Sequence, residues 1–163
     1  MASPSFFPGI VLPSTAGRLV NLRTLPGLTV VFIYPFTGRP DYPNPEGWDG
    51  IAGAHGSTPQ ALGYKALYPE FKVRKVRIFG MSFQSTEWQK DFVKRNDLPF
   101  ALLSDEKAEM ALELDLEVFT AGQSAFLRRR TFILRNGQVL DDRKYNPKPA
   151  NDAAMTLNWI KAL

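Results

Sequence analysis

Apolar runs and helix-like periods alternate along the chain. Residues 29–34 form one continuous run of β-branched and aromatic side chains, the pattern of a strand that is covered on both faces. Further strands are predicted at residues 10–12, 19–22, 76–83, 99–103, 131–134 and 139–140. Asn136 and Gly137 lie between the last two of these segments and strongly favour a tight hairpin turn.

Helical periodicity fills the spaces between these strands. The predicted caps are Ser57 or Thr58 for the first helix, Thr86 with Gln89 three residues later for the second, and Ser104 for the third. A last amphipathic helix is predicted at residues 151–162. Alternating strands and helices indicate parallel strands, and the closing hairpin indicates antiparallel ones. The pattern therefore predicts an α/β fold with a mixed central sheet, helices on both faces and an N-terminal hairpin.

A long segment rich in proline and glycine, residues 35–56, separates the central strand from the first helix. Loops longer than about 12–15 residues without structure of their own are usually functional or disordered. This loop delivers the chain onto a helix N-terminus, so we expect a functional site there. Trp48 has little local core to join, and it either pins the loop or marks a contact surface.

Composition narrows the function classes. The chain has 163 residues, with 44% hydrophobic and 22% charged, which fits a single globular domain over residues 1–163. It contains no cysteine and one histidine. This count excludes disulfide frameworks, thiolate metal sites and a cysteine nucleophile in the chain as it stands, and it gives no support to a metal site. No nucleotide-binding glycine motif is present, so no cofactor is expected.

The charge balance is a mild formal +4, from 20 basic and 16 acidic residues. This excess is weaker than the concentrated basic surface that nucleic-acid binding requires, so we expect no nucleic-acid partner. No apolar run approaches the length of a membrane span, and the N-terminus lacks the pattern of a signal peptide. A cytoplasmic location is therefore the expectation.

An ordered set of segments resembles one known family. These are residues 9–13, 21–22, 30–35, 56–60, 67–71, 80–82, 98–105 and 129–133. Together they resemble the peroxiredoxins of the AhpC/TSA superfamily, and among them the bacterioferritin-comigratory or Q-type group, over nearly the whole chain. The resemblance implies a thioredoxin-like fold. It also implies a thiol-dependent peroxidase that reduces hydrogen peroxide and organic hydroperoxides through a cysteine nucleophile.

The resemblance places the peroxidatic cysteine at position 57, where this chain has Ser57. A helix N-terminus favours an anion there, which suits a thiolate. The family arginine maps onto Arg129, which would stabilise the thiolate and polarise the peroxide bond, while Arg130 fits less well by spacing. The predicted pocket residues are Tyr34, Pro35, Ala54, Gly56 and Thr58, with Phe36 and Phe126 as candidates for its apolar wall.

The chain departs from the family pattern at several positions. Ser57 carries no sulfur, so the chain as written is expected to be inactive as a peroxidase. Ala54 replaces a threonine or serine that hydrogen-bonds peroxide, and Gly50 replaces the proline of the motif. Leu62 occupies the position of a resolving cysteine, which implies a one-cysteine type reduced by an external thiol such as thioredoxin, glutaredoxin or glutathione. A monomer or weak dimer is expected.

Two explanations of Ser57 stay open. One is a Cys→Ser variant of an active peroxidase, and the other is a natural, catalytically silent binding protein that uses loop 35–56 to recognise a partner. A serine hydrolase built on Ser57 and His55 is a third hypothesis. It is disfavoured because no G-x-S-x-G elbow surrounds the serine, and His55 is then a solvated loop residue.

Overall fold

The structure is a computed structural model that describes residues 4–144 and 148–163. Within these ranges the strands are β1 (Val11–Pro13), β2 (Leu19–Asn21), β3 (Leu28–Ile33), β4 (Arg77–Ser82), β5 (Ala101–Ser104), β6 (Val118–Ala121), β7 (Ser124–Leu127), β8 (Arg130–Arg135) and β9 (Gln138–Arg143). The helices are α1 (Ser57–Val73), α2 (Thr86–Asn96), α3 (Glu109–Leu114) and α4 (Asp152–Lys161).

The central sheet has the strand order β5-β4-β3-β8-β9 in the described part of the chain. β3 runs parallel to β4, and β4 runs parallel to β5, while β8 and β9 are antiparallel to their neighbours. The predicted mixed sheet is confirmed, and the apolar run at residues 29–34 is its middle strand.

The two faces of the sheet carry separate cores, because side chains along a strand point alternately to opposite sides. Val30 and Phe32 pack with the helix layer of α1, α2 and α4. Val31 and Ile33 pack with α3 and with the β1–β2 hairpin. The predicted helices on both faces are therefore confirmed. All four side chains are fully buried.

Two hairpins were predicted correctly, β1–β2 near the N-terminus and β8–β9, and a third was missed. Asn136 and Gly137 both have positive φ, 51° and 80°, which the two-residue turn between β8 and β9 requires. The β6–β7 hairpin was not predicted. Its strands are four residues each, too short for an alternating pattern to stand out.

The predicted helix caps were each displaced. α1 is preceded by Gly56, at φ 114°, and Ser57 is its first residue rather than its cap. The cap of α2 is Ser85, whose hydroxyl accepts from Trp88 N at 3.2 Å, rather than Thr86. α3 begins at Glu109 rather than after Ser104, and the Asp105 carboxylate accepts from Met110 N and Ala111 N. For α1 and α2 a neighbouring glycine or serine takes the capping position, whereas for α3 Ala108 takes it without a side-chain bond.

Loop 35–56 is ordered and contains one turn of 3-10 helix, Trp48–Gly50. Another such turn, Pro149–Asn151, leads into α4 and packs against the start of α1. None of the helices in the described ranges is both long enough and apolar enough to cross a membrane.

Candidate active site

Ser57 lies where the loop enters α1, and its side chain is buried, with 4% of the residue exposed. Gly56 turns the chain into the helix in a left-handed conformation. A Cβ added at Gly56 would lie 2.8 Å from Pro149 Cγ, so only glycine fits this entry without strain. Gly56 also offers no side chain to the first-turn N–H groups of α1, which leaves the positive end of the helix dipole directed at the Ser57 side chain.

Arg129 reaches Ser57 from the segment between β7 and β8. Its Nη1 donates to Ser57 Oγ at 3.2 Å and to Gln60 Oε1 at 2.6 Å. Its Nη2 donates to the carbonyls of Gly53 and His55 at 3.2 and 3.1 Å. The guanidinium is therefore bonded to the loop and to the first turn of α1 at once, which fixes its plane against the serine hydroxyl.

Burial lowers the pKa of Arg129 to about 10, and the charge of Asp152 opposes that effect. Arg129 therefore keeps its positive charge at neutral pH. Its four acceptors among the described residues are neutral, so a positive charge lies against the Ser57 oxygen. An anionic atom at position 57 would be stabilised here both by this cation and by the helix N-terminus.

Arg130 points to the opposite side, as neighbouring residues of an extended segment do. Its Nε and Nη2 donate to the two carboxylate oxygens of Asp142, each at 2.7 Å, and both side chains are buried. The structure thus brings Arg129, and not Arg130, to Ser57.

A cavity of about 490 Å³ opens over Ser57. Its lining consists of Phe36, Gly38, Asn44, Trp48, Ala54, His55, Gly56, Ser57, Thr58 and Pro59. Three of the predicted pocket residues, Ala54, Gly56 and Thr58, lie in this lining. Ala54 presents only a methyl group where a hydroxyl is expected, so the cavity lacks a hydrogen-bond donor at that point.

Tyr34 and Pro35 are not brought to this cavity. Both are buried, and the Tyr34 ring packs in the core beneath β3, 6.0 Å from the centre of the Phe32 ring. The chain emerges at the sheet edge one residue later than expected, so Phe36 provides the aromatic wall. Phe126 does not line the cavity either, but supports Phe36 from behind at 5.7 Å.

Trp48 pins the loop. It is 3% exposed, and its ring contacts those of Phe36, Phe119 and Phe126 at 5.0–5.7 Å between centroids. Of the two roles predicted for Trp48, packing inside the loop is the one that the structure shows.

The His55 ring is paired with Asp49, with 2.7 Å between Nε2 and Oδ1, and both side chains are largely exposed. Its backbone carbonyl, rather than its ring, takes part in the bonds around Arg129. In the described ranges no hydrogen bond joins the His55 ring to Ser57, so the geometry gives no support to a hydrolytic Ser–His pair.

Two buried residues of the site were missed from the sequence. Gln60 is fully buried. Its Oε1 accepts from Arg129, and its Nε2 donates to Asp152 Oδ2 at 3.1 Å. Gln60 lies three residues after Ser57, a spacing that puts both on one face of the helix and that could have identified it. Asp152 lies 92 residues away on α4, and no local signal points to it.

No cluster of three or more histidine, cysteine or acidic side chains able to hold a metal ion occurs in the part of the chain that the structure describes. Leu62, at the position of a resolving cysteine, is 39% exposed on the outer side of α1. A thiol there would face solvent rather than the cavity.

The comparisons with known proteins agree with the fold. The model of the AhpC/TSA family matches residues 52–142. Peroxiredoxin Q of Sedum lineare chloroplasts is 30% identical over 158 residues, covering 92% of this chain and 74% of that protein. Peroxiredoxin bcp1 of Schizosaccharomyces pombe is 31% identical over 113 residues. This match covers 68% of this chain but only half of the yeast protein.

Solved structures extend the similarity to the whole described fold. Peroxidoxin BcpB of Mycobacterium tuberculosis superposes with a TM-score of 0.80 at 22% identity, covering 100% of this chain and 98% of that one. The bacterioferritin comigratory protein of Xanthomonas campestris, described with alkyl peroxide reduction activity, gives 0.76 at 26% identity and covers 99% and 98%. The expected thioredoxin-like peroxiredoxin fold is confirmed.

Proposed function

Because the chain belongs to the AhpC/TSA family, we propose that its fold supports a thiol-dependent peroxidase that requires a cysteine at position 57. The chain with Ser57 is then inactive as a peroxidase. The observation that carries the proposal is the bond from Arg129 Nη1 to Ser57 Oγ at the N-terminus of α1. A sulfur atom in place of that oxygen would be held as a thiolate by the guanidinium and the helix dipole.

The proposed reaction begins when the thiolate of a cysteine at position 57 attacks the terminal oxygen of a hydroperoxide. The S–O bond forms as the O–O bond breaks, which oxidises the sulfur to a sulfenic acid. The leaving oxygen takes a proton and departs as an alcohol or as water. Arg129 stabilises the negative charge on the attacking and leaving atoms. Two equivalents of an external thiol then return the sulfenic acid to thiolate and release a disulfide and water.

An external reductant is needed because, apart from a cysteine at position 57, the chain has no second thiol to reduce the sulfenic acid. Position 62, where the family can carry one, is Leu62. Thioredoxin, glutaredoxin or glutathione is the proposed class of reductant. Organic hydroperoxides are proposed alongside hydrogen peroxide, supported by the alkyl peroxide reduction reported for the Xanthomonas relative. A single domain, the cytoplasmic location and a monomeric or weakly dimeric state stay predictions.

The test is Ser57→Cys. With cumene hydroperoxide or hydrogen peroxide and a thiol donor, S57C should consume peroxide catalytically, while the unsubstituted chain should not. Leu62→Cys is the matched control, because it puts a thiol on the same helix at an exposed position without contact to Arg129. L62C should react only at the rate of a free thiol. A folded S57C that turns over no peroxide with any of the three donors would refute the proposal.

A second candidate is the silent binding protein. The observation in its favour is that Ala54 and Gly50 also depart from the family pattern, which a single Cys→Ser change does not explain. Ala54 is 1% exposed and lines the cavity, so its methyl group alters the place where peroxide would bind. A serine at codon 57 of the chromosomal gene, together with saturable binding of a partner to loop 35–56, would favour this candidate.

A further inference from the structure

The end of the sheet at which β3 and β4 begin is strongly basic. Three segments meet there: residues 22–28 lead into β3, residues 72–77 link α1 to β4, and residues 135–138 turn from β8 into β9. These segments contain no acidic residue. Together they form a surface, the basic end of the molecule, whose six basic side chains are all exposed: Arg23, Lys72, Arg74, Lys75, Arg77 and Arg135.

Strand pairing brings the three segments together. Thr29 of β3 pairs with Arg77 on one side, and Leu28 pairs with Arg135 on the other. The Arg77 guanidinium also donates to the carbonyl of Pro26. Because neighbouring strands lie about 5 Å apart, the backbones of Arg77 and Arg135 are about 10 Å apart. The positive charge is therefore concentrated at this end of the fold rather than spread over the surface.

Carboxylates do not neutralise the basic end. In the described ranges none of its six side chains forms an ion pair with an acidic residue. Glu70, in the last turns of α1, is paired with Lys161 at 3.7 Å. At the end of α2 the charges of Lys94 and Asp97 offset each other. Arginines elsewhere in the fold are paired with acidic side chains, as these five are: Arg39, Arg95, Arg128, Arg130 and Arg143.

Helix stability explains only part of this charge. Lys72 lies in the last turn of α1, where the helix dipole favours a cation. Arg23, Arg77 and Arg135 lie outside the helices, so this reason does not apply to them. A surface of one sign that faces solvent attracts a partner of the opposite sign.

Two exposed apolar side chains lie among these cations. Val73 is 80% exposed and lies between Lys72 and Arg74. Phe6 is 46% exposed, and the Arg23 guanidinium lies over its ring at 4.0 Å. Basic groups around exposed apolar side chains are typical of surfaces that bind anionic lipid headgroups and place the apolar groups at the acyl-chain boundary. The phosphates of a nucleic acid would also attract the cations, but they offer no apolar environment to Val73.

We propose that the basic end docks the protein on a bilayer surface rich in anionic lipids. The contact is peripheral, with the basic side chains at the lipid phosphates and Val73 at the edge of the acyl chains. Ser57 is the first residue of α1 and Val73 is the last, so the length of the helix, about 24 Å, separates the Ser57 cavity from the bilayer. The docked protein keeps that cavity open to the water phase, and docking does not depend on a thiol at position 57.

Binding is tested by sedimentation of the unsubstituted chain with vesicles. One set contains equimolar phosphatidylglycerol and phosphatidylcholine, and the other contains phosphatidylcholine alone. We expect binding to the anionic vesicles only, weakened at least about tenfold between about 50 and about 500 mM NaCl, because salt screens exposed charges. Equal binding to both sets, or no binding to the anionic set, would overturn the proposal.

The surface is assigned with two matched pairs of substitutions. The double variant K72Q/K75Q should weaken binding to the anionic vesicles at least about tenfold, since each basic group near such a surface contributes about a fivefold factor. The control K90Q/K107Q removes the same charge from two exposed lysines outside the basic end and should change binding less than about threefold. Equal weakening by the two pairs would overturn the assignment to the basic end.

The lipid is distinguished from other polyanions by Val73→Ser. V73S should weaken vesicle binding about threefold, because the valine loses its contact with the acyl chains. Leu112→Ser is the control, since Leu112 is also 80% exposed but lies on α3, and it should leave vesicle binding unchanged. Unchanged vesicle binding by V73S, or tighter binding of a DNA duplex than of the anionic vesicles at equal salt, would overturn the choice of a bilayer as the partner.

Discussion

Asp152 is the buried carboxylate whose removal should damage this protein most. Its Oδ2 accepts from Gln60 Nε2 at 3.1 Å, from Tyr64 OH at 2.7 Å and from Thr131 Oγ1 at 2.8 Å. Its Oδ1 accepts from Arg143 Nη2 at 3.1 Å. These bonds connect α4 to α1, β8 and β9, and Asp152 itself is 1% exposed. Burial, reinforced by the charge of Asp152, raises the pKa of Tyr64 well above its usual value, so the tyrosine keeps its proton and donates.

The loss of unfolding free energy in an Asp152 variant follows from the buried donors that lose their acceptor. In Asp152→Ala the Tyr64 hydroxyl keeps Thr156 Oγ1 at 2.9 Å, but Gln60 Nε2 and Thr131 Oγ1 lose their bonds to the carboxylate. A buried donor without an acceptor costs about 1–3 kcal/mol, so the two together cost about 4 kcal/mol. Asp152→Asn keeps one oxygen for the three donors and turns its NH₂ toward Arg143. It should therefore cost about 2 kcal/mol.

The assay is urea unfolding followed by tryptophan fluorescence, with the free energy of unfolding taken from midpoint and slope. Asp141→Asn is the matched control. Asp141 faces the same Arg143, but at 3.9 Å and with 28% of its side chain exposed, so its loss should cost less than about 1 kcal/mol. If D152N destabilises no more than D141N, or D152A no more than D152N, the account of this network is refuted.

Two further predictions concern the entry to α1. In the S57C background, Arg129→Lys should raise the pKa of the thiol and slow peroxide turnover about a hundredfold, because an ammonium cannot make the forked contacts of the guanidinium. The pH dependence of iodoacetamide alkylation measures the thiol pKa, and an unchanged profile would contradict the role given to Arg129. Gly56→Ala should lower the free energy of unfolding by about 2 kcal/mol, since φ is 114° and the new Cβ meets Pro149. Gly9→Ala, with open space around it, is the control. Equal stabilities of the two variants would contradict the strain argument.

The fold was largely predictable because its strongest signals are local. The run at residues 29–34 has no polar position apart from its first residue, Thr29, and the Tyr34 hydroxyl at its end, which a strand buried on both faces explains. Asn136 with Gly137 specifies a turn by backbone conformation alone. The β6–β7 hairpin had no comparable signal. Ser85 and Thr86 are both good caps by residue type, so the local sequence does not decide between them, and Ser85 is the cap in the structure.

The site was less predictable because its parts are distant in sequence. Arg129 lies 72 residues from Ser57, and composition or periodicity does not connect them. They were predicted as partners only through the family resemblance, and their catalytic roles remain predictions. The expectation that Ser57 or Thr58 caps α1 was wrong, since Gly56 takes the cap position and the Ser57 hydroxyl is bonded to Arg129.

The identity of residue 60 follows from its two neighbours. Arg129 only donates hydrogen bonds, and the Asp152 carboxylate only accepts them. A side chain between them must accept at one end and donate at the other, and the glutamine amide does both, which also fixes its orientation. A glutamate in this place would bring a second carboxylate within about 3 Å of Asp152, where two charges of one sign repel strongly. The direction of the guanidinium at Ser57 therefore depends on a carboxylate of α4 that never touches the cavity. For this reason the site is a property of the folded chain rather than of the loop–helix motif alone.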